Sequence, residues 1–181
     1  LLTAIQNQQK IAIFADYDVD GGTSAVLLID FLGQLAIEPT LYVPNRVSEG
    51  YGPNPKAMAA LADSHDLIIC VDCGTLAYEA LDAARAADVV VLDHHLGGEI
   101  LPEARAVVNP NRQDETGDLA HLCAAAVVFM VLTQVARTMR ANGQTPPNLI
   151  NTLDLVALAT VADVAPLVGV NRAFVRQGLK V

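Results

Sequence analysis

The chain has 181 residues, 52% of them hydrophobic, which is enough for one well-buried core, and its odd count of three cysteines argues against a disulfide scaffold. The formal net charge of -9 opposes a polyanionic partner, since nucleic-acid binding ordinarily needs a basic surface. No apolar run approaches the roughly 18 to 20 uncharged residues of a membrane helix, and LLTAIQNQQK lacks the flanks of a signal peptide, so no membrane partner and a cytoplasmic location are expected.

In chain order, short β-rich apolar runs alternate with longer segments of three-to-four spacing. The strands expected are IAIF (11–14), TLYV (40–43), DLIICV (66–71), DVVVL (88–92) and AVVN (106–109). Between them TSAVLLIDFLGQL, PKAMAALADS and LAYEALDAARAA read as crossover helices. Residues 110–118 form a polar loop, after which the strands stop. Two helical stretches follow, AHLCAAAVVFMVLTQVARTMR and LINTLDLVALATVADVA, separated by the turn GQTPPN. This pattern gives an α/β class: a doubly wound, mainly parallel five-stranded sheet with flanking helices, ending in a helical segment. One domain is expected over residues 1–181, with a sheet portion (1–118) and a helical portion (119–181). The start without Met, and an end at NRAFVRQGLKV whose spacing reads as a helix just begun, make the expectation a piece of a longer protein.

Ligands of open parallel sheets collect beyond the carboxyl ends of the strands. Three strands here run into acid at that edge. IAIF leads to Asp16, Asp18 and Asp20; LIICV leads to Asp72; VVVL leads to Asp93, His94 and His95. Any one of these reads equally as an Asx-capped turn or a surface histidine pair. Together they place four or five carboxylates at one edge, where two at about 5 Å repel by roughly 3 kcal/mol at an effective dielectric of about 20. Divalent cations relieve that repulsion, and carboxylate with imidazole suits manganese or magnesium. Three alternate aspartates in an extended segment would project to one side. The Cys70-x-x-Cys73 spacing is that of half a zinc site, but Cys70 belongs to an apolar run and no second pair follows.

The ordered motifs DYDVDGGTS (16–24), VPNRVSEGYG (43–52), VDCGT (71–75), DHH (93–95) and LDLVALATVADVAPL (153–167) resemble the DHH phosphoesterase superfamily, and within it the RecJ-type single-strand-DNA exonucleases. The resemblance covers nearly the whole chain. It implies a two-metal core of Mn²⁺ or Mg²⁺ with ligands Asp16, Asp18, Asp20, Asp72, His94 and Asp163, of which Asp72 is the candidate bridge. It also implies catalytic roles for Asp72, His94 and His95, with Asp93 orienting an imidazole. Arg46 is a candidate to grip a phosphate, Gly21, Gly22 and Thr23 to offer it backbone amides, and Asn109, Asn111 and Arg112 to line a groove.

Asp154 and Asp163 fall on opposite faces of a straight helix, so only one can face the site; the family pattern selects Asp163. Relatives commonly carry a glycine near Ala125 or Ala126, where this chain has LCAAAVVF. His121 beside that run reads as a helix-start residue, and Tyr51 reads equally as a base-stacking or loop-packing residue.

The implied activity is hydrolysis of single-stranded DNA from its 5′ end to mononucleotides, in recombination and repair, with single-strand-binding protein or helicase partners. The second α/β domain and oligonucleotide-binding module of such relatives do not fit within 181 residues, so weak digestion is expected of this chain alone. The alternatives are a small-substrate phosphodiesterase or pyrophosphatase, and a non-catalytic metal-binding regulatory domain.

Overall fold

A computed structural model describes all residues, Leu1–Val181. Its centre is a five-stranded, all-parallel sheet: β1 (Ile11–Ala15), β2 (Thr40–Tyr42), β3 (Leu67–Val71), β4 (Asp88–Leu92) and β5 (Ala106–Val108), in the order β2-β1-β3-β4-β5. The helices are α1 (Leu2–Gln6), α2 (Val19–Gly33), α3 (Pro55–Ala62), α4 (Tyr78–Asp82), α5 (Ala124–Ala141), α6 (Leu153–Ala162) and α7 (Gly169–Gly178).

β1 and β3 are fully buried because helices cover both faces, which is why their sequences are apolar throughout. Ile11, Ile13, Ala15, Leu67, Ile69 and Val71 pack with α2, α5 and α6, whereas Ala12, Phe14, Ile68 and Cys70 pack with α3 and α4. The three cysteines all lie buried and free, and burial pushes the Cys70 thiol up to about 12, so this pair is core.

α5 corrects the reading that no segment is long and apolar enough to cross a membrane. Its 18 residues meet that standard of length and composition even with Arg137 and Arg140 included. Half of it is buried here, packed on α2 and α6 as a core helix.

Several helices differ from their expected limits, α2 and α4 among them. α2 begins at Val19, four residues before the expected Thr23, because the Asp18 carboxylate caps it by accepting the Gly21 N–H at 2.9 Å. α4 stops at Asp82, and the chain continues in tight turns, Ala84 N–H to Leu81 O and Ala87 N–H to Ala84 O, that deliver Asp88 to β4.

The order places the reversal of winding between β1 and β3. β2 lies on one side of β1, and the next crossover passes back over β1 to set β3 on the other. A crevice opens at such a point, beyond the carboxyl ends of the strands. Asp16 and Asp72 are the first residues past those two ends.

Candidate metal centre

The sheet itself sets the acids in a row. Asp16, Asp72 and Asp93 each sit one residue beyond a strand. Each donates its backbone N–H to the last carbonyl of the neighbouring strand, respectively Val71 (3.3 Å), Leu92 (3.0 Å) and Val108 (3.1 Å). Adjacent strands run about 4.8 Å apart, so the three residues stand side by side at one level. All three are buried. Asp72 adopts φ +59°, a left-handed backbone uncommon for a non-glycine residue and of the kind that concentrates at functional sites.

The first motif reaches the site as a turn, which corrects the expectation of an extended segment with three aspartates on one side. Asp16 ends the strand, Asp18 caps α2, and Asp20 lies in the first helical turn. Gly21 makes the turn possible, since a Cβ there would stand 2.4 Å from the Asp16 carbonyl oxygen. Asp20 is consequently carried inward to the start of α5, where its two carboxylate oxygens accept the N–H groups of Ala124 (2.6 Å) and Ala125 (2.8 Å). The side chains of Ala124 and Ala125 do not obstruct this approach.

Three groups of side chains could each hold a metal ion, with ligand atoms within 4.8 Å of one another: Asp16, Asp18 and Asp72; Asp20, His94 and Asp163; and Asp72, His94 and His95. His94 is the link. Its Nε2 lies 3.3 Å from Asp72 Oδ1 and 3.7 Å from Asp20 Oδ2, and its Nδ1 lies 3.8 Å from Asp163 Oδ2.

Asp163 is not within α6. It is the C-cap, in a Schellman ending with Ala165 N–H bonded to Thr160 O and Val164 N–H to Val161 O. Asp154 is exposed and accepts the N–H of Leu155, away from this cluster.

The charges explain the shifts. Burial pushes the carboxyls of Asp16, Asp20 and Asp72 above their usual range, and for Asp20 the two α5 amides partly offset it. Burial lowers His94, but the adjoining carboxylates of Asp72, Asp20 and Asp163 outweigh it and raise the ring to about 9. Asp93 behaves differently. Burial would raise it, yet bonds from His95 Nδ1 (2.8 Å) and from the Thr75 hydroxyl (2.6 Å) and amide (3.0 Å) hold it well below the carboxylate range. It stays ionised, holds the His95 proton on Nδ1 and raises that ring in turn. His95 Nε2 is left facing the Tyr51 hydroxyl at 3.3 Å.

These residues fit a pair of cations. The Asp72 Oδ1 atom is buried and receives no hydrogen bond, with His94 Nε2 standing 3.3 Å away. A buried carboxylate oxygen without a donor costs several kcal/mol unless a positive charge meets it. A ligand set of oxygens and one imidazole nitrogen is that of manganese or magnesium.

The remaining sequence candidates divide. Arg46 is exposed, with its guanidinium 5.3 Å from the Tyr17 ring centroid at the rim. Gly21, Gly22 and Thr23 do not present free groups to an anion, a correction to their reading as substrate contacts. Gly21 N–H is held by the Asp18 carboxylate and Gly22 N–H by the Asp18 carbonyl, while Thr23 lies as the fifth residue of α2, inside the helix, with its hydroxyl bonded to the carbonyls of Val19 and Asp20.

Asn109, Asn111 and Arg112 are likewise braces. Asn109 Nδ2 donates to Thr75 Oγ1 and His95 O, Asn111 Nδ2 to His94 O, and Arg112 pairs with Asp114 and bonds Val107 O. Sequence reasoning passed over Thr75, the α5 amides and Tyr17; the first lay in plain view as the last residue of VDCGT.

A cavity of about 350 Å³, lined by Tyr51, Thr75, Leu76, Asp93 and His95, adjoins the cluster. The larger cavity, about 410 Å³, lies between β5 and α5 among mostly apolar side chains and away from these acids.

Residues 10–160 match the model of the DHH family, N-terminal domain. The chain belongs to the DHH family. It is 40% identical over 189 residues to the single-stranded-DNA-specific exonuclease RecJ of Dickeya dadantii, covering 99% of this chain and 33% of that protein. The corresponding protein of Haemophilus influenzae is 40% identical over 187 residues, with coverage of 99% and 32%. The chain thus spans about a third of the length of these curated relatives.

Among solved structures, exonuclease RecJ bound to manganese superposes with a TM-score of 0.85 at 32% identity, over 98% of this chain and 45% of that one. RecJ of Thermus thermophilus in complex with Mn²⁺ gives 0.78 at 29%, over 98% and 25%. The doubly wound parallel fold expected from the sequence is therefore that of the family.

Proposed function

We propose that this chain is the metal-binding catalytic domain of a RecJ-type exonuclease, hydrolysing single-stranded DNA from its 5′ end to mononucleotides with two Mn²⁺ or Mg²⁺ ions. The observation that carries the reading is the donor-free Asp72 Oδ1 at the β1/β3 crevice, between one group of aspartates and one of aspartate with histidine. The substrate class comes from the relatives, which are named single-stranded-DNA-specific exonucleases.

Asp16, Asp18 and Asp72 would hold one ion, and Asp20, His94 and Asp163 the other, with Asp72 shared. When bound, the cations supply Lewis-acid charge at the phosphoryl oxygens and a water activated for in-line attack. Asp93 holds His95 with its Nε2 toward the crevice, where it can meet a phosphate or leaving oxygen. Arg46 at the rim can present its fork of N–H donors to a neighbouring phosphate.

The acidic balance is compatible with this substrate. Asp16, Asp18, Asp20, Asp72 and Asp163 account for five of the 20 acids, and two divalent ions offset about four charges. Affinity for a long strand then depends on local contacts and, in the full-length relatives, on the two thirds of their length outside the matched stretch. This chain by itself is accordingly proposed to be a single domain that degrades DNA weakly. Cytoplasmic location and single-strand-binding protein or helicase partners complete the proposal.

The test is digestion of 5′- and 3′-labelled single strands in Mn²⁺, Mg²⁺ and chelator, beside Asp72→Ala. Release of mononucleotides from the 5′ end, lost in chelator and in the variant, is the expected result. Phosphate release from pyrophosphate without nucleotide release would replace the DNA reading with a small-substrate one, and metal binding without any turnover would leave a regulatory domain. Full processive digestion by this chain alone would overturn the expectation of weak activity.

A further inference from the structure

We infer that Asn171 is a positioning residue for the Asp20, His94 and Asp163 cluster, acting as a clasp between the two segments that aim its carboxylates. The inference rests on the reading of that cluster as one of two metal sites. Asn171 lies in the first turn of α7, eight residues after Asp163 and far in sequence from the other ligands, and is 0% exposed.

Its Nδ2 donates to two carbonyl oxygens, His121 O at 2.6 Å and Pro166 O at 3.1 Å. Facing two acceptors, that atom has to be the amide nitrogen. His121 leads directly into α5, whose first two amides hold the Asp20 carboxylate. Pro166 closes the turn that begins at Asp163. One side chain therefore ties the segment that aims Asp20 to the segment that carries Asp163.

The clasp has a rigid mounting. α7 is pressed onto α6 at Gly178, where a Cβ would stand 2.2 Å from Leu153 O. Burying a carboxamide whose Oδ1 has no hydrogen-bond partner is unfavourable for stability alone, so packing does not explain this residue. Fixing the distance between two carboxylates does explain it, because a metal's ligands must be held within about 0.5 Å of their working geometry.

The experiment is a Mn²⁺ titration of this chain by calorimetry and by the electron paramagnetic resonance of free Mn²⁺, comparing wild type with Asn171→Ala and Asn171→Ser, each checked by circular dichroism. The expected result is that one of two ions binds about 10- to 100-fold more weakly, the size of an outer-sphere effect, while the other keeps its affinity. The serine hydroxyl, able to serve one carbonyl, should give an intermediate loss.

Unchanged binding of both ions overturns the inference, as does equal weakening of both. If Asn171→Ala loses its helices, Asn171→Ser is read by the same criterion, and loss of fold in both makes the clasp part of the fold and overturns its role at the site. Wild type that binds no Mn²⁺ fails the metal reading first, a result distinguishable from the others because no variant is needed to see it.

Discussion

His94 Nε2 lies 3.3 Å from Asp72 Oδ1, and this ion-pair contact joins the two halves of the site. In the metal-free protein both groups titrate above their ordinary values, His94 near 9 and Asp72 raised by burial. A group whose folded pKa is raised contributes stability below its unfolded pKa and loses it as pH rises through the folded one. For Asp72 the loss begins near pH 4, and for His94 it runs from about 6.5 to 9. Asp93 has the opposite sign, but its window lies below about pH 4. The melting temperature in chelator is thus predicted to fall as pH rises from 5 to 9. Saturating Mn²⁺ should offset the fall, because cations bind the deprotonated ligands. A melting temperature in chelator that climbs across this range would show that the pair does not control the balance.

Asp93 touches no other carboxylate of the cluster, and its worth lies in how it holds His95. Asp93→Asn removes the charge and one acceptor while keeping the shape, so His95 loses its fixed Nδ1 proton and ring orientation. A drop of about 10- to 100-fold in kcat is predicted, with Mn²⁺ affinity much less affected. Thr75→Val, which removes the 2.6 Å bond to Asp93, should give a smaller loss in the same direction. Equal loss of metal affinity and of kcat in Asp93→Asn would place Asp93 in the metal shell instead.

The five strands and the crevice were legible because strands covered on both faces must be apolar at every position, and runs such as LIICV have few other uses. The convergence of Asp16, Asp72 and Asp93 followed from strand ends alone. Asp20 was harder to place. Its position depends on Asp18 capping α2 early, and a cap competes with strand extension on terms that alternation does not reveal.

Asn109, Asn111 and Arg112 illustrate another limit. Polar residues after a strand look the same whether they meet a ligand or brace the loop beneath one, and here they hold the carbonyls of His94, His95 and Val107. Helical periodicity correctly allowed only one of Asp154 and Asp163, but it could not show that Asp163 lies past the end of its helix.

Arg46, which makes no ion pair and lies over the Tyr17 ring beside the first motif, is the cation we propose for a substrate phosphate. Charge-assisted hydrogen bonds contribute about 1.5–3 kcal/mol, or roughly 10- to 100-fold in binding. Arg46→Ala should therefore raise KM for a short single strand by about that factor while leaving Mn²⁺ affinity unchanged. Arg46→Lys should recover only part, because a point charge cannot form the two-pronged contact or stack on Tyr17 in the same way. An unchanged KM in Arg46→Ala would remove it from the substrate path.

Val164 occupies the left-handed position of the Schellman ending that follows Asp163, at φ +57°, where glycine is the usual residue. A β-branched side chain there costs about 1–2 kcal/mol of backbone strain. At 86% exposure the side chain buries almost nothing in return. Val164→Gly should relieve the strain, against an added unfolded-state entropy of about 0.4–1 kcal/mol. A net gain of up to about 1 kcal/mol is predicted, read as a higher urea midpoint with unchanged slope. Because the turn itself is retained, Asp163 keeps its place beside His94 and Mn²⁺ affinity should not move. If the variant is instead less stable, or loses an ion, the valine contributes something beyond its backbone angle, and the exposed apolar surface at the end of α6 becomes the place to look for it.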